Sequence, residues 1–533
     1  MKTAAAFLFC LISFSAAFGQ APVIQWQKTF GGSNWDSFNS SLQLNNGDFI
    51  IVGNSMSNDF DVSGNHGDND VWLVKLDSSG NLLRQKSLGG SNLDDFYSVQ
   101  LLANGHLLFA GGTFSNNGDV SGNHSATSSD AWLVETDTAF SLIRQKCFGG
   151  TGNEGFNSVK VTQDGGLIVL GIATSTNGDL SGVVNHGGVD VWILKLDSSF
   201  NITWQKCYGG SFDDYGIEII PTKDNKYLIA SYAGSLDGNI SAPIGGYDYW
   251  VFEVDSSGSL LWDKSFGGSL DEYLYSVLMT NDSGLVLAGY TDSHDGFVIG
   301  SHDTIFSVND YWVLKIDSSG NFQWQVCLGG SREDKAASII KDYDSGFIVT
   351  GYTNSNDGNV LGNHGLACAP FPCEDVWMTK IDSSGNLIWA KCIGGSLSDI
   401  GNASMRTLGR DYLVEGYTFS IDGDVSGSIN RGASDSWLVK LSQLPSEIPN
   451  SQVFLTDLIV HSAPDHLTIS FCADASDPAT IEVNDISGRT LYAQQVITHN
   501  GLNRVEQLNN FSKGVYFVRL TTKGGAVTKK FIK

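Results

Sequence analysis

Short stretches in which apolar and polar residues alternate recur along the chain from about residue 24 to residue 441, each bounded by glycine, asparagine or aspartate. Alternation with a period of two predicts β-strands with one buried face, and the bounding residues predict tight turns. In the second copy of the pattern, Asn104-Gly105 predicts a hairpin turn. Each copy therefore predicts four short antiparallel strands. In the second copy they are residues 96–102, 106–111, 131–136 and 141–146.

The pattern occurs seven times, with a period of about 60 residues. Each copy has a Gly-Gly pair, a carboxylate four residues after the second glycine, a long polar loop and an Asp-x-Trp strand. The Gly-Gly pairs begin at Gly31, Gly89, Gly149, Gly209, Gly267, Gly329 and Gly394. The tryptophans are Trp72, Trp132, Trp192, Trp250, Trp312, Trp377 and Trp437. Four antiparallel strands at this period are typical of a β-propeller blade.

The order of strands at the two ends predicts how the repeat closes. The fourth strand of a copy has the pattern Trp-Gln-Lys or a variant of it, and the first example, at Trp26, precedes every other strand. The third strand at Trp437 to Leu441 is followed by no such partner. The N-terminal strand is therefore expected to complete the last blade. The predicted fold class is all-β, with residues 20–441 forming a seven-bladed β-propeller of four-stranded blades closed by that strand.

Composition and charge narrow the classes of protein. The chain has 533 residues, 62 of them glycine and 9 proline, and a formal net charge of -26. That charge argues against nucleic-acid binding, which requires a clustered basic surface. Residues 1–19 combine Lys2, an apolar run and a small-residue site ending at Gly19, which predicts a signal peptide. No later stretch reaches ~18 apolar residues, so no membrane span is predicted after its removal, and a monomer is expected.

The repeat resembles a known family. The pattern Trp-Gln-Lys-x-x-Gly-Gly-Ser-x-x-Asp, with Gly-Tyr-Thr at Gly289, Gly351 and Gly416, is similar to the bacterial seven-bladed β-propeller repeat, abbreviated SBBP. The resemblance covers residues 24–441 and implies the fold. It implies no particular activity, because that family has no single agreed one.

After Leu441 the repeat stops. Residues 442–451 predict a linker, and residues 452–533 contain alternating stretches that predict a small C-terminal β-sandwich. The predicted strands there are residues 467–471, 480–483, 490–495, 514–520 and 526–532.

This second module resembles the type A C-terminal sorting domain of proteins carried by the type IX secretion system of Bacteroidetes. The resemblance rests on Asp485-Ile486-Ser487-Gly488-Arg489, on Lys513-Gly514-Val515-Tyr516-Phe517-Val518 and on the basic end around Lys530. It differs from the family where Ala463-Pro464-Asp465 replaces the usual Asn-Pro. The resemblance implies that the secretion machinery recognises this module and delivers the protein to the outer-membrane cell surface or the medium. The implied sorting residues are Gly488, Lys513, Gly514, Tyr516, Val518 and Lys530.

One recurring carboxylate per copy is a candidate site. These residues are Asp36, Asp94, Glu154, Asp214, Glu272, Asp334 and Asp399. They precede the innermost strand, so the seven could ring one mouth of a central channel and hold a cation through several oxygens. Alternatively, each could accept backbone N–H groups of its own turn and staple its blade. Recurrence in every copy favours the staple.

The long loops hold a second set of carboxylates, and they make calcium conceivable as a cofactor. The candidates are Asp59, Asp61, Asp422 and Asp424. They lack the alternating Asp-x-Asp-x-Asp-Gly spacing that surrounds one ion, so turn formation is favoured over metal binding and no cofactor is expected.

Two cysteines differ from the rest. Cys368 and Cys373 close a short loop found in one copy only, and an exported protein meets oxidising conditions, which predicts a disulfide. Cys147, Cys207, Cys327 and Cys392 occupy one repeat position and predict a small buried slot, whereas Cys472 has no evident partner.

Two functions remain open at this level. The favoured one is a non-catalytic protein that binds a glycan or protein at the cell surface. The other is a secreted hydrolase or lyase acting on polysaccharide or glycoprotein. The propeller region contains no Gly-x-Ser-x-Gly or His-Glu-x-x-His motif. A cluster of the non-repeat residues His294, Arg332, Glu374 and Arg410 around one pocket would favour the enzyme. The loops at residues 242–249, 297–308 and 366–374 are where the copies differ most, and a ligand is expected there.

Overall fold

The structure is a computed structural model, and it describes the chain in the following ranges. They are residues 21–302, 308–365, 368, 373–427, 429–442, 455–462, 466–473, 478–486, 489–497, 501–508, 512, 514–522 and 525–532. The predicted signal peptide and nearly all of the predicted linker lie outside them. Within these ranges no helix is long and apolar enough to cross a membrane. The chain divides into two compact units, Met1–Leu444 and Pro445–Lys533.

In the described residues the first unit consists of strands joined by turns, with short 3-10 helices at Gly178–Leu180 and Gly423–Val425. Its strands are β1 Val23–Phe30, β2 Asp36–Gln43, β3 Phe49–Ser55, β4 Asp70–Leu76, β5 Leu82–Leu88, β6 Asp94–Leu101, β7 Leu107–Thr113, β8 Asp130–Thr136, β9 Leu142–Phe148, β10 Glu154–Val161, β11 Leu167–Ala173, β12 Asp190–Leu196, β13 Ile202–Tyr208 and β14 Asp214–Pro221. They continue as β15 Tyr227–Ala233, β16 Asp248–Val254, β17 Leu260–Phe266, β18 Glu272–Met279, β19 Leu285–Thr291, β20 Asp310–Ile316, β21 Phe322–Leu328, β22 Asp334–Lys341, β23 Phe347–Thr353, β24 Asp375–Ile381, β25 Leu387–Ile393, β26 Asp399–Arg406, β27 Tyr412–Thr418 and β28 Asp435–Ser442.

These strands form seven antiparallel sheets of four strands each. Sheets 1 to 6 take consecutive strands, from β2–β5 in sheet 1 to β22–β25 in sheet 6, and pair them in chain order. The prediction of an all-β chain with repeated four-stranded sheets is confirmed.

Sheet 7 has the order β1-β28-β27-β26, so the N-terminal strand supplies its fourth strand. In that pairing Thr29 lies opposite Trp437. The indole Nε1 of Trp437 donates to Gln27 Oε1 at 2.9 Å, across 410 positions of sequence. The same bond in sheet 1, from Trp72 Nε1 to Gln85 Oε1 at 3.1 Å, joins residues 13 positions apart. β1 therefore takes the place that the fourth strand holds in the other sheets.

Consecutive sheets are joined by one recurring backbone hydrogen bond. The N–H of the carboxylate residue that begins each first strand donates to the carbonyl just before the third strand of the preceding sheet, at 2.6–3.1 Å. The bond from Asp36 N–H to Ser434 O, at 3.1 Å, makes this junction between sheet 1 and sheet 7. A hydrophobic cluster fills the same junction, where Phe38 and Trp72 of sheet 1 pack with Leu438 of sheet 7.

The third strands form the interior of the sheets. Every residue of β12 is buried, from Asp190 to Leu196. The seven repeat tryptophans are at most 1% exposed. Burying a large apolar side chain contributes about 1.5–3 kcal/mol, so these indoles anchor the sheets and present no open face to a ligand.

The second unit has seven strands in two sheets. They are β29 Leu455–Ser462, β30 His466–Ala473, β31 Pro478–Asp485, β32 Thr490–Ile497, β33 Gly501–Leu508, β34 Val515–Thr522 and β35 Gly525–Ile532. The sheet orders are β29-β30-β33 and β32-β31-β34-β35. Both sheets contribute to one core, in which Ile469 packs with Ile481 and Val518. Strands β29 and β33 were not predicted from the sequence pattern.

Candidate functional site

The recurring carboxylates are buried within their own sheets. Each accepts a hydrogen bond from the N–H of the second glycine of its Gly-Gly pair, at 2.7–2.9 Å. Asp94 shows the full set of contacts, because it also accepts from the hydroxyls of Thr113 and Ser115. The seven residues Asp36, Asp94, Glu154, Asp214, Glu272, Asp334 and Asp399 are at most 1% exposed. This is the geometry of a staple within each sheet.

A second recurring carboxylate faces the first across every junction between sheets. It is the aspartate of Asp-x-Trp, which begins each third strand. At the junction of sheets 4 and 5, a Cβ on Gly267 would lie 2.1 Å from Asp248 Oδ1 and 2.2 Å from Glu272 Oε2, so both oxygens converge on the glycine. The seven pairs are Asp435–Asp36, Asp70–Asp94, Asp130–Glu154, Asp190–Asp214, Asp248–Glu272, Asp310–Asp334 and Asp375–Asp399. These aspartates recur in the Asp-x-Trp motif, which could have identified them in the sequence, but they were not predicted to be site residues.

Burial controls the protonation of these pairs. Loss of solvation raises the pKa of Asp248 to about 6. It is also the main cause that raises the pKa of Glu272 to about 7, and the negative charge of Asp248 contributes to that shift. Burial likewise raises the pKa of Asp334 to about 8. Among the described residues, Oδ1 of the third-strand aspartate has no hydrogen-bond partner in six of the seven junctions. These carboxyl groups therefore belong to the packing of the sheets.

The loop histidines and the calcium candidates are also engaged in structure. His66 Nδ1 lies 2.7 Å from Asp70 Oδ2, and the equivalent His–Asp contact recurs in four further sheets. Asp59 Oδ1 accepts the N–H of Ser33 at 2.8 Å, and Asp422 Oδ1 accepts that of Ser396 at 2.7 Å. Asp61 and Asp424 accept the N–H groups of Gly31 and Gly394 at 3.4 and 3.3 Å. Within the described ranges, no group of three or more His, Cys, Asp or Glu residues is arranged to hold a metal ion.

A feature that the sequence did not reveal lies on the first strand of each sheet. Every first strand has a β-bulge in its fourth residue, where the pairing with the second strand skips one position. The bulge residues are Asn39, Tyr97, Asn157, Ile217, Tyr275, Ala337 and Asn402. A bulge leaves its residue unpaired and re-aims the side chain. Unlike the carboxylates, these residues differ from copy to copy.

Five bulge residues line one cavity of about 490 Å³, to which five of the seven sheets contribute. Tyr97 of sheet 2 and Tyr275 of sheet 5 are half exposed, at 49% and 51%. Asn39 and Asn402 supply amide groups from sheets 1 and 7. A volume of this size falls within the range of about 300–1,000 Å³ typical of small-molecule sites. We term this cavity the bulge cavity.

A row of tyrosines leads away from the bulge cavity over sheets 4 and 5. Tyr275 stacks on Tyr290 with ring centroids 5.6 Å apart, and Tyr290 lies 5.1 Å from Tyr273. Tyr273 contacts Tyr247 at 5.3 Å, and Tyr247 contacts Tyr232 at 5.7 Å. Tyr247 belongs to the loop at residues 242–249, one of the three in which a ligand was expected from the sequence.

Charged groups lie both in the wall of the bulge cavity and beside the tyrosine row. Lys335 lies in the wall of the bulge cavity, with its Nζ 4.8 Å from the ring centroid of Tyr290, and it forms an ion pair with Glu333. Asp292 lies near the row, and burial raises its pKa to about 6, with Asp271 adding to the shift. His294, Arg332, Glu374 and Arg410 are absent from the lining of the cavity, so the cluster that would have favoured an enzyme is not formed there.

A larger cavity, of about 730 Å³, lies between sheets 3 and 4. Several polar side chains of its wall are already paired with one another or with the backbone. Lys195 Nζ lies 2.9 Å from Asp164 Oδ2, and Trp204 Nε1 donates to Ser256 O at 3.0 Å. It is a groove between neighbouring sheets, and we do not regard it as the binding site.

The insertion of sheet 6 contains the disulfide between Cys368 and Cys373, whose Cα atoms are 5.6 Å apart. The cysteines of the repeat position are free and buried. They are Cys147, Cys207, Cys327 and Cys392.

The sorting residues of the second unit divide into two groups. Tyr516 and Val518 are buried in the core, and Tyr516 Oη donates to Ser512 O at 2.7 Å. Lys530 is exposed and Gly514 is partly exposed. Gly488 and Lys513 lie outside the described residues. The buried members support the fold of the unit, and Lys530 is open to a partner.

Comparison with known proteins identifies the second unit. Residues 463–533 match the family described as secretion system C-terminal sorting domain. The regulatory protein FlaEY of Caulobacter vibrioides is 28% identical over 167 residues, which are 30% of this chain and 17% of FlaEY. The chain therefore spans less than a fifth of the length of this relative.

Solved structures resemble the chain only loosely. A luciferin-regenerating enzyme is 8% identical, with a TM-score of 0.32, over 79% of this chain and 95% of its own. A member of the duf4221 family from Bacteroides vulgatus is 9% identical, with a TM-score of 0.32, over 80% of this chain and 98% of its own. Likenesses at this level carry no argument about function. The sorting domain does, and it marks this protein as one that the type IX system exports to the cell surface or the medium.

Proposed function

We propose that this protein is an exported, non-catalytic binding protein whose first unit is a closed, SBBP-like seven-bladed β-propeller. The second unit engages the type IX secretion machinery. The first unit binds a surface glycan or protein through the bulge cavity and the tyrosine row.

Closure of the ring is supported by the equivalence of the seven junctions. The backbone bond, the carboxylate pair and the hydrophobic cluster that join sheets 1 and 2 recur between sheets 7 and 1. Asn402 Nδ2 of sheet 7 also donates to Phe38 O of sheet 1 at 2.9 Å, as Asn157 Nδ2 of sheet 3 donates to Gly216 O of sheet 4 at 2.6 Å. A cavity lined by five sheets is expected if the sheets are arranged around a common axis.

One observation carries the binding role: five of the bulge residues, which vary between copies, converge on a cavity, whereas the recurring acids of the first strands are buried and accept hydrogen bonds within the sheets. A catalytic site requires a group free to transfer a proton or attack a substrate. The bulge positions instead supply amides, phenols and apolar side chains, which suit recognition.

The rival function, a secreted hydrolase or lyase, has one observation in its favour. Asp292 combines burial with a pKa of about 6 near the tyrosine row, and a general acid needs a carboxyl pKa raised toward neutrality. An Asp292→Asn variant separates the two functions. We expect wild type and variant to leave polysaccharide and glycoprotein substrates intact, as checked by the release of reducing ends. Release by wild type and its loss in the variant would establish the enzyme.

Export is tested by fusing residues 442–533 to a reporter that carries its own signal peptide, in a bacterium with a type IX system. The matched control ends at residue 462 and so lacks the domain. We expect the reporter in the outer membrane or medium with the domain and in the periplasm without it. Retention of both proteins in the periplasm would contradict the sorting role.

A further inference from the structure

Part of the wall of the bulge cavity is formed by residues that are skipped in the pairing between the first and second strands of their sheets. A bulge frees one residue per sheet, and five of these residues meet in one space. The residue type at a bulge can differ between sheets. At the recurring positions the residue type is fixed, because every sheet requires the same contacts there. The cavity is therefore the place where this chain can be specific for a ligand.

The aromatic part of the wall offers open ring surface. Tyr275 stacks on Tyr290 with an interplanar angle of 28°, yet half of its surface remains exposed. Tyr97 is exposed to the same degree, and its Oη donates to Asp95 Oδ2 at 3.4 Å. Exposed tyrosine rings provide apolar faces with a polar edge, which suits ligands that present both C–H surface and hydroxyl groups.

Apart from Lys335, the polar part of the wall is made of uncharged groups. Asn402 Nδ2 donates to Asn39 Oδ1 at 3.3 Å as well as to the backbone, so the two amides form one connected unit. Ser276 and Ser338 add hydroxyls. Amides and hydroxyls both donate and accept, as ligand hydroxyl groups require.

Charge decides between ligand classes. Lys335 is the charged residue of the cavity wall, and its ammonium group is matched by Glu333. The chain as a whole carries a formal charge of -26, which repels acidic polymers. A cationic ligand would need an unmatched carboxylate in the wall, and none of the residues that line the cavity is acidic.

We infer that the bulge cavity binds a neutral carbohydrate chain, with Tyr97 and Tyr275 packing on sugar rings and Asn39 and Asn402 hydrogen bonding to their hydroxyls. This inference rests on the proposed binding function and specifies its ligand class.

The test uses the full-length protein and soluble neutral hexasaccharides of the cello-, xylo-, laminari- and manno- series, with binding measured by calorimetry. We expect at least one series to bind. Tyr275→Ala and Tyr97→Ala should each weaken that binding by about tenfold, because each removes apolar contact worth about 1.4 kcal/mol. The matched control is Phe212→Ala, an exposed aromatic residue outside the cavity wall, which should bind like wild type. Thermal melts of each variant show whether it is folded.

Three results would overturn the inference. The first is no binding of any of the four series. The second is binding that folded Tyr97→Ala and Tyr275→Ala variants retain in full. The third is binding of an array of unmodified peptides that Tyr275→Ala abolishes, which would leave the proposed binding function in place and replace its ligand class. Shortening of the hexasaccharides during the measurement would instead overturn the non-catalytic function itself.

Discussion

Asp94 and Tyr97 lie three residues apart on β6, yet their side chains lie in two different environments. Asp94 is fully buried at a junction between sheets, where three donors surround its carboxylate. Tyr97 is half exposed at the bulge of the same strand and lines the cavity. The junction position is a carboxylate in all seven copies, whereas the bulge position carries four different residue types. The repeat thus separates residues that build the sheets from residues free to differ.

The largest effect is expected where a whole junction is removed. Deleting residues 21–30 takes away β1, with its ladder to β28 and the indole bond from Trp437 to Gln27. Ladder bonds contribute about 1 kcal/mol net each, so the loss is comparable with the stability of a typical domain. We expect a sharply lowered melting temperature. An unchanged melting curve would rule out the ring closure that we propose.

Substitution of a single buried acid at a junction should lower the stability of the fold by less than the deletion of β1, but still substantially. Asp94→Ala leaves the Gly90 N–H and the hydroxyls of Thr113 and Ser115 buried without their acceptor. We expect a loss of about 3–5 kcal/mol in the free energy of unfolding, measured with urea. Tyr97→Ala, on the same strand, is the control and should change it by less than about 1 kcal/mol. Equal losses in the two variants would erase the distinction between junction and bulge.

The glycine at a junction is expected to be intolerant of a methyl group. In Gly267→Ala the new Cβ would meet buried carboxylate oxygens of Asp248 and Glu272 at 2.1 and 2.2 Å. Overpacking of this kind costs about 1–3 kcal/mol. Gly155→Ala is the matched control, because no atom lies within 4 Å of the Cβ it would add. Thermal melts of the two variants should differ, and coincident melts would contradict the convergence of oxygens on Gly267.

The carboxylate pairs also predict a pH dependence. The pKa of Glu272, about 7 in the folded chain, exceeds its ordinary value of 4.5, so the fold favours the protonated acid. Its contribution is complete below the unfolded pKa and is lost as pH rises through about 7. Asp248 faces it, and backbone N–H groups of Ile244 and Gly245 face Asp248. We expect stability to fall between pH 5 and pH 8, by on the order of 1–2 kcal/mol for this junction.

The variant Glu272→Gln keeps the shape of the side chain and removes its titration. Its stability should fall less steeply over the same pH range than that of wild type, as followed by urea unfolding at each pH. A slope equal to that of wild type would assign the pH dependence to other groups.

The smallest effect is expected where one sheet lacks a contact that others have. Within the described part of the chain, Trp377 Nε1 is buried without a hydrogen-bond partner, because Ala390 stands where five sheets have glutamine as acceptor. Ala390→Gln should restore the bond and raise stability by about 0.5–1.5 kcal/mol. A small rise in melting temperature checks this, with Ala390→Leu as the control that adds bulk without an acceptor.

The regular part of the fold could be predicted because it depends on alternation and turns. The second copy's strands were placed at 96–102 and 131–136, and the structure has β6 at Asp94–Leu101 and β8 at Asp130–Thr136. Strands β29 and β33 were missed. In the second unit the hydrophobic pattern is weaker, and β33 pairs with β30 through contacts that are distant in sequence.

The candidate site could be predicted less well. The recurring acids stand out in the sequence, and the favoured interpretation as staples matches their geometry. The bulge is different, because a skipped position in strand pairing leaves no mark on the hydrophobic pattern. Comparing the fourth residue of each first strand across the copies, from Asn39 to Asn402, shows four residue types, but the residues on either side of it vary as well, so the position does not stand out in the sequence.

The pairing of β1 with β28 also sets an order in time. β1 is the first strand to be synthesised, and it finds its partner only after more than 400 further residues have been added, since Gln27 and Trp437 are 410 positions apart. Contacts of such long range form slowly, and until then β28 presents an unpaired edge open to wrong partners. The last sheet can be completed only shortly before the sorting domain emerges. Sheet 7 is thus the last of the seven sheets that the growing chain can complete.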